Sequence, residues 1–215
     1  MSRVIDEVLG AWGAGRLRGS LAVRETSQML LALLLVTAAT PADATTGIVA
    51  AHTGGVLLGM RIGTALLWPA DYGPGALRRA PGHLREAISR PPLFRTDRSL
   101  LASDGDPWTV NVIGHGFFGS EIYLRSRQCG GAPLEALAWT AGASVAWEYG
   151  LEGTVKRPSA IDLAWTPIVG GLVVGELRFH AYRWLDPNRG GVLRQILRTM
   201  LDPFGSLERA AGAGC

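Results

Sequence analysis

NVIGHGFFGSEIYLRSR (residues 111–127) is a glycine-rich apolar stretch that carries an amide, an imidazole, a carboxylate and a phenol at turn-like intervals. Read as a helix, it sets Asn111, His115 and Gly119 four apart on one face, and Tyr123 extends the line. A polar stripe on an apolar helix has two readings. It is either the hydrogen-bonded seam of a helical bundle or half of a site. The same choice recurs in the two segments that follow.

The second segment, APLEALAWTAGASVAWEYGLEG (132–153), opens with Pro133 and closes with Gly153. Ser144, Glu148 and Glu152 are four apart in it, so two carboxylates line one helix face. The third, RPSAIDLAWTPIVGGLVVGELRF (157–179), begins with Ser159 as a helix cap and Asp162 three residues on, an acidic capping-box arrangement. Pro167 predicts a kink or break. Gly171 and Gly175 offer a face for close helix contact, and Glu176 ends the run. These patterns predict an all-α chain: a compact bundle of glycine-striped apolar helices, associated with a membrane.

Composition supports that class. The 215 residues are 47% hydrophobic and only 18% charged, with a mean hydropathy of +0.18. These values are too apolar for a typical soluble enzyme and too mild for a polytopic membrane protein. The formal net charge of +3 comes without a long basic block, which argues against nucleic acid and leaves an anionic membrane surface as a partner. Two cysteines, Cys129 and Cys215, provide neither a disulfide framework nor zinc spacing. The prevailing reading is two free thiols, with a bridge between them as the alternative.

Residues 1–44 read as a leader. Arg16, Arg18 and Arg24 precede the apolar run from Met29, Pro41 breaks it, and Ala42-Asp43-Ala44 has the small-x-small form of a cleavage site. The run is shorter than the roughly 20 apolar residues a bilayer span needs. A single helical domain is expected over 45–209. It starts with a helix carrying Gly55, Gly59 and Gly63 as a packing strip around Arg61. Within it, 70–107 reads as an exposed Pro/Gly/Arg-rich connector with a short basic helical piece around Leu84 to Ile88, ending in an Asp104-Gly105-Asp106-Pro107 turn. Residues 186–203 read as an amphipathic tail helix, with Val192, Leu193, Ile196, Leu197, Met200 and Leu201 on one face and Arg194 and Arg198 beside it. Residues 210–215 are expected to be flexible.

The order of NVIGHGFFGSEIYLRSR, WEYGLE, RPSAIDLAWTPIVGGLVVGE and LDPFGSLER resembles a bacterial envelope family known only as a domain of unknown function, over roughly 107–209. That resemblance puts weight on Asn111, His115, Gly119, Tyr123 and Arg127, on Trp147 and Glu148, on Pro158, Ser159 and Asp162, and on Gly170, Gly171, Gly175 and Glu176. It implies an envelope location and no set chemistry. Members usually have Pro after the His, where this chain has Gly116. A looser similarity of layout is to the VanZ-like membrane proteins.

Three functions follow. In the first, the polar stripes are structural. In the second, the chain is a hydrolase or transferase acting on a lipid or cell-wall precursor. His115 is then the general base, Glu148 orients it, and Asp162 or Glu176 is a second acid or a metal ligand; Asn111, Tyr123, Arg127 and Ser159 are binding residues. A metal-assisted version requires three or more converging ligands, and neither a metal nor a cofactor is assigned from the pattern. In the third, glycine-lined helices bind an acyl chain. No GxSxG, HExxH, P-loop or dinucleotide motif is present. Whether His115, Glu148 and Asp162 share one water-accessible pocket discriminates among the three.

Overall fold

The structure is a computed structural model that describes residues 44–185 and 191–215. The leader, apart from Ala44, and residues 186–190 of the expected tail helix lie outside the described residues. Among the described residues the chain is helical, and its only β-type pairing is an isolated bridge between Leu93 and Ser159.

The first helix, α1 (Ala44–Leu67), ends at Trp68-Pro69. Short α2 (Pro69–Tyr72) and α3 (Ala80–Ser89) follow. The expected connector therefore contains a packed helix, because α3 buries Ala80 and Ala87. Helix α4 (His115–Gln128) is preceded by a π-helical turn, Val110–Gly114. Helix α5 (Pro133–Val145) starts on Pro133 with Glu135 in its first turn, both favoured at a helix N-terminus. It widens into a π segment, Ala146–Leu151, before a 3-10 turn, Glu152–Thr154.

Helix α6 (Ala160–Trp165) is capped by Ser159, whose side chain accepts from the Asp162 amide at 3.3 Å, as the spacing predicts. At Thr166-Pro167 the helix widens to a π segment, Thr166–Gly175, and runs on as α7 (Glu176–Trp184). Pro167 thus changes the winding and does not end the helix. The amphipathic α8 (Val192–Leu201) and α9 (Pro203–Ala210) complete the chain.

Phe118, Ile122, Ala143 and Trp147 form the apolar centre, with Val56, Leu57, Met60, Trp139 and Leu151 around it. Glycines bring α4 onto the α6–α7 helix. A Cβ on Gly119 would overlap the Thr166 carbonyl, and one on Gly170 would sit 2.8 Å from the Gly116 oxygen. Gly175 lies against the Tyr123 ring. The strip on α1 behaves differently: nothing lies within 4 Å of a Cβ built on Gly55, Gly59 or Gly63. Gly55 and Gly59 instead face a groove of about 1080 Å³ that also meets Phe117, Phe118 and Phe204.

Ion pairs hold the C-terminal helices. Arg125, fully buried, meets Glu208 at 2.8 Å and Asp202 at 3.7 Å, and Glu208 also meets His52 of α1 at 2.6 Å. Asp202 caps α9 through the Gly205 amide at 3.0 Å. Cys129 and Cys215 are joined in a disulfide, which corrects the free-thiol reading and ties down the end expected to be flexible. Their adjacency is set by α9 folding back on α4, which spacing along the chain does not reveal. Thr45–Leu67 and Ala160–Trp184 are long and apolar enough to cross a membrane, by length and composition.

The glycine contacts set a test of the packing. Gly119→Ala must separate two backbones and should lower stability by about 1–3 kcal/mol. Gly142→Ala, at a helical position with nothing within 4 Å, should be neutral or stabilising by up to about 1 kcal/mol. Thermal melts of the two variants check the contrast.

Candidate functional site

Three polar faces converge where the π turns meet the helices. His115 stands at the first residue of α4, immediately after its π turn. Glu148 projects from the π segment that follows α5. Asp162 sits in the first turn of α6, and Thr166 starts the third π segment. All four are buried, Glu148, Asp162 and Thr166 completely. A π turn adds a residue to the helical repeat and so re-aims the side chains beyond it, a device often found at functional sites.

The imidazole is held from one side and faced from the other. Nδ1 lies 3.0 Å from the Thr166 hydroxyl. Nε2 lies 3.9 Å from Glu148 Oε1 and 3.8 Å from Asp162 Oδ2. Those separations exceed hydrogen-bond length, so the two carboxylates surround Nε2 without closing on it. The other Glu148 oxygen accepts from the Ser159 amide at 2.7 Å.

A second tier of charge adjoins this one. Glu152 Oε1 accepts from the Tyr72 hydroxyl at 2.8 Å and pairs with Lys156 at 3.2 Å. Lys156 also donates to Asp106 at 2.5 Å and Asp104 at 3.3 Å. Asn111 donates to Asp104 at 2.7 Å and to the Leu101 carbonyl at 3.1 Å. Lys156 is therefore the shared cation of three carboxylates.

Burial decides the protonation states. It pushes His115 down to about 4, despite the opposing fields of Glu152 and Asp104. Burial, with the charges of Glu152 and Asp162, holds Glu148 well above the usual carboxylate range. Burial and Asp104 raise Asp162 to about 7. Burial opposes the Lys156 charge, but Glu152 and Asp106 outweigh it and hold the ammonium protonated. The arrangement is a neutral imidazole beside carboxyls that retain protons near neutral pH, a combination suited to proton transfer.

His115 and Glu152 reach the wall of a cavity of about 690 Å³. Tyr72, Asp106 and Asp71 share its polar end, while Met60, Leu67, Trp68 and Ile113 make the rest apolar. Met60, Ile113 and Gly114 also line the larger groove along α1, so the two spaces adjoin.

The site thus gathers His115, Glu148, Asp162, Asn111 and Ser159 of the residues singled out from the sequence. Glu176, Tyr123 and Arg127 fall elsewhere. Arg127 makes a two-pronged contact with Glu176 at 2.9 and 3.2 Å, and twelve residues of helix put it about 18 Å along α4 from His115. Glu176 is therefore not a second acid for His115. Asp104, Asp106, Lys156 and Thr166 were not legible as site residues, although the DGDP turn and the Glu148–Glu152 spacing were visible.

Lys156→Met should destabilise the protein by roughly 2–4 kcal/mol, because it leaves buried carboxylates without their cation. Its partial exposure, 23%, places it at the lower part of the range for buried pairs. Chemical denaturation of the variant against the parent measures the loss, and Lys156→Arg should recover part of it.

No curated protein and no solved structure matches the chain. The span that carries His115, Glu148, Glu152 and Asp162 does find a counterpart: residues 101–204 match the family model described as a Domain of unknown function (DUF3943).

Proposed function

We propose that this chain is a membrane-associated hydrolase or transferase of the bacterial envelope, acting on an amphiphilic, lipid-like substrate. The observation that carries the reading is the convergence of His115, Glu148 and Asp162 beside a cavity that solvent can enter. A purely structural seam closes on itself through hydrogen bonds. Here Glu148 Oε1 and both Asp162 oxygens are buried without a hydrogen-bond donor among the described residues.

The cavity favours a substrate with two ends. Its polar end brings a reacting group to His115 and Glu152. Its apolar wall continues through Met60, Ile113 and Gly114 into the α1 groove, which accommodates a chain. Hydrolysis or transfer needs a group that takes the proton of the attacking water or alcohol and later returns it. The His115–Glu148–Asp162 unit has that capacity. The glycine faces divide between two roles: Gly55 and Gly59 border open space, whereas Gly171 and Gly175 are in tight contact. Acyl-chain accommodation is therefore assigned to the α1 side.

Several features support an envelope setting. A disulfide is retained in oxidising compartments. Two helices have the length and composition of spans. The apolar face of α8 stays uncovered among the described residues, with Leu193 69% and Met200 72% exposed. Arg198 turns back over the Tyr182 ring and Arg194 over Trp184, so the arginines brace α8 and leave its apolar face outward.

Two experiments follow. In detergent micelles, turnover of ester- and phosphate-linked lipids should fall about 100-fold or more in His115→Gln and Glu148→Gln. Melting temperatures should change by less than about 4 °C, equivalent to about 1 kcal/mol. Destabilised variants with unaltered turnover per folded molecule would return the stripe to a structural role. For the surface, Leu193→Ser with Met200→Ser should weaken binding to anionic vesicles about tenfold or more, through lost apolar burial. Unchanged co-sedimentation would assign that face to another contact.

A further inference from the structure

We propose that His115, Glu148 and Glu152 form a binding site for a divalent first-row transition ion such as Zn²⁺ or Mn²⁺. This deepens the catalytic reading above by naming the cofactor of the same site, and it is measurable without any turnover.

Each of the three side chains is anchored through one atom and leaves another free of that anchor. His115 is held at Nδ1 by Thr166, which leaves Nε2 turned inward. Glu148 is held at Oε2 by the Ser159 amide, which leaves Oε1 without a donor. Glu152 is held at Oε1 by Tyr72 and Lys156, which leaves Oε2 without a donor. All three residues are buried, and one ligand atom from each lies within 4.8 Å of the others. Metal–ligand bonds of about 2.0–2.4 Å place donors around one ion no more than about 4–5 Å apart. Outer partners that orient each ligand are the usual companions of metal-binding His and carboxylate groups.

Charge points the same way. Glu152, Asp104 and Asp106 share the single ammonium of Lys156, three carboxylates to one cation. A dication reduces that excess where it is greatest. One imidazole with two carboxylates suits Zn²⁺, Mn²⁺ or Fe²⁺ better than Mg²⁺ or Ca²⁺, which favour oxygen donors alone. Asp162, 3.8 Å from Nε2 and outside the mutually close trio, remains beside the site as the acid–base group. His115 then acts as a ligand and not as the base.

The test uses the full chain purified in detergent and stripped with a chelator. Titration calorimetry with Zn²⁺ and with Mn²⁺ should show one site per chain, with Mg²⁺ and Ca²⁺ binding at least tenfold more weakly. At about 100-fold over Kd, the ion should raise the melting temperature by about 5–10 °C. Glu148→Gln and Glu152→Gln should weaken binding more than tenfold. Thr166→Val, which removes only the partner of Nδ1, should weaken it about 10–100-fold. His180→Ala should change nothing, since His180 is 67% exposed and pairs with Glu176, away from the trio.

Should the carboxylate variants not fold, X-ray absorption on the zinc-loaded parent gives an independent answer. A shell of nitrogen and oxygen with an imidazole contribution is expected, and sulfur ligation overturns the site. Absence of stoichiometric binding, or binding indifferent to Glu148 and Glu152, also overturns it. Turnover that depends on His115 in a protein that binds no metal would sink the metal site and leave the catalytic reading standing. Metal binding without lipid turnover would do the reverse.

Discussion

The contact on which this molecule depends is made of backbone. Where α4 crosses the α6–α7 helix, Gly119 meets the Thr166 carbonyl and Gly170 meets the oxygens of His115 and Gly116. No side chain intervenes, so the two helices approach more closely than any larger residue permits. The geometry of the site follows from that approach. Thr166 touches Gly119 through its carbonyl and His115 through its hydroxyl. The position that sets the helix spacing also fixes the imidazole.

This proximity makes the charge pattern possible and also demanding. Carboxylates from the π segment after α5 and from α6 are brought to a histidine in a region shielded from water, where an ionised group is unfavourable unless something compensates it. The protein compensates unevenly. The tier around Lys156 is paired and hydrogen-bonded, whereas Glu148 and Asp162 are left to hold protons or an ion. That contrast separates the two tiers by role. Lys156, Asp104 and Asn111 stabilise the turn and position Glu152, while Glu148 and Asp162 retain chemical capacity.

Much of this was legible in the sequence, and the remainder was hidden for identifiable reasons. Polar residues at four-residue spacing in apolar helices identified His115, Glu148 and Asp162 as needing partners, and Ser159 as the cap. Tyr123 extends the same stripe, and the resemblance adds Glu176 and Arg127, yet these three fall elsewhere. A stripe shows which face a residue occupies but not its height along the axis, and Arg127 lies about 18 Å from His115. Glu152 was visible as a repeat of Glu148, but π winding and a 3-10 turn place it, and neither has a compositional signature. Asp104, Asp106 and Lys156 sit on turns whose meeting depends on tertiary folding. The Cys129–Cys215 bond depends on where α9 carries the chain end.

The C-terminal helices show how one charge network serves the apolar groove. Phe204 and Glu208 of α9 form part of its wall, and α9 is fixed there by Arg125, Asp202 and His52. Gly205 lies so close to the Arg125 guanidinium that a Cβ there would displace it. The closeness lets a buried arginine reach Glu208, and Glu208 in turn engages His52 across the groove on α1. The groove is therefore crossed by a hydrogen-bonded His52–Glu208 contact between the first and last helices, while Gly55 and Gly59 stay open to it. Such a contact fixes the width between α1 and α9 without filling the space, which apolar side chains meeting across the groove would do. Charged residues outside the His115 site thereby shape the apolar space that adjoins it through Met60, Ile113 and Gly114.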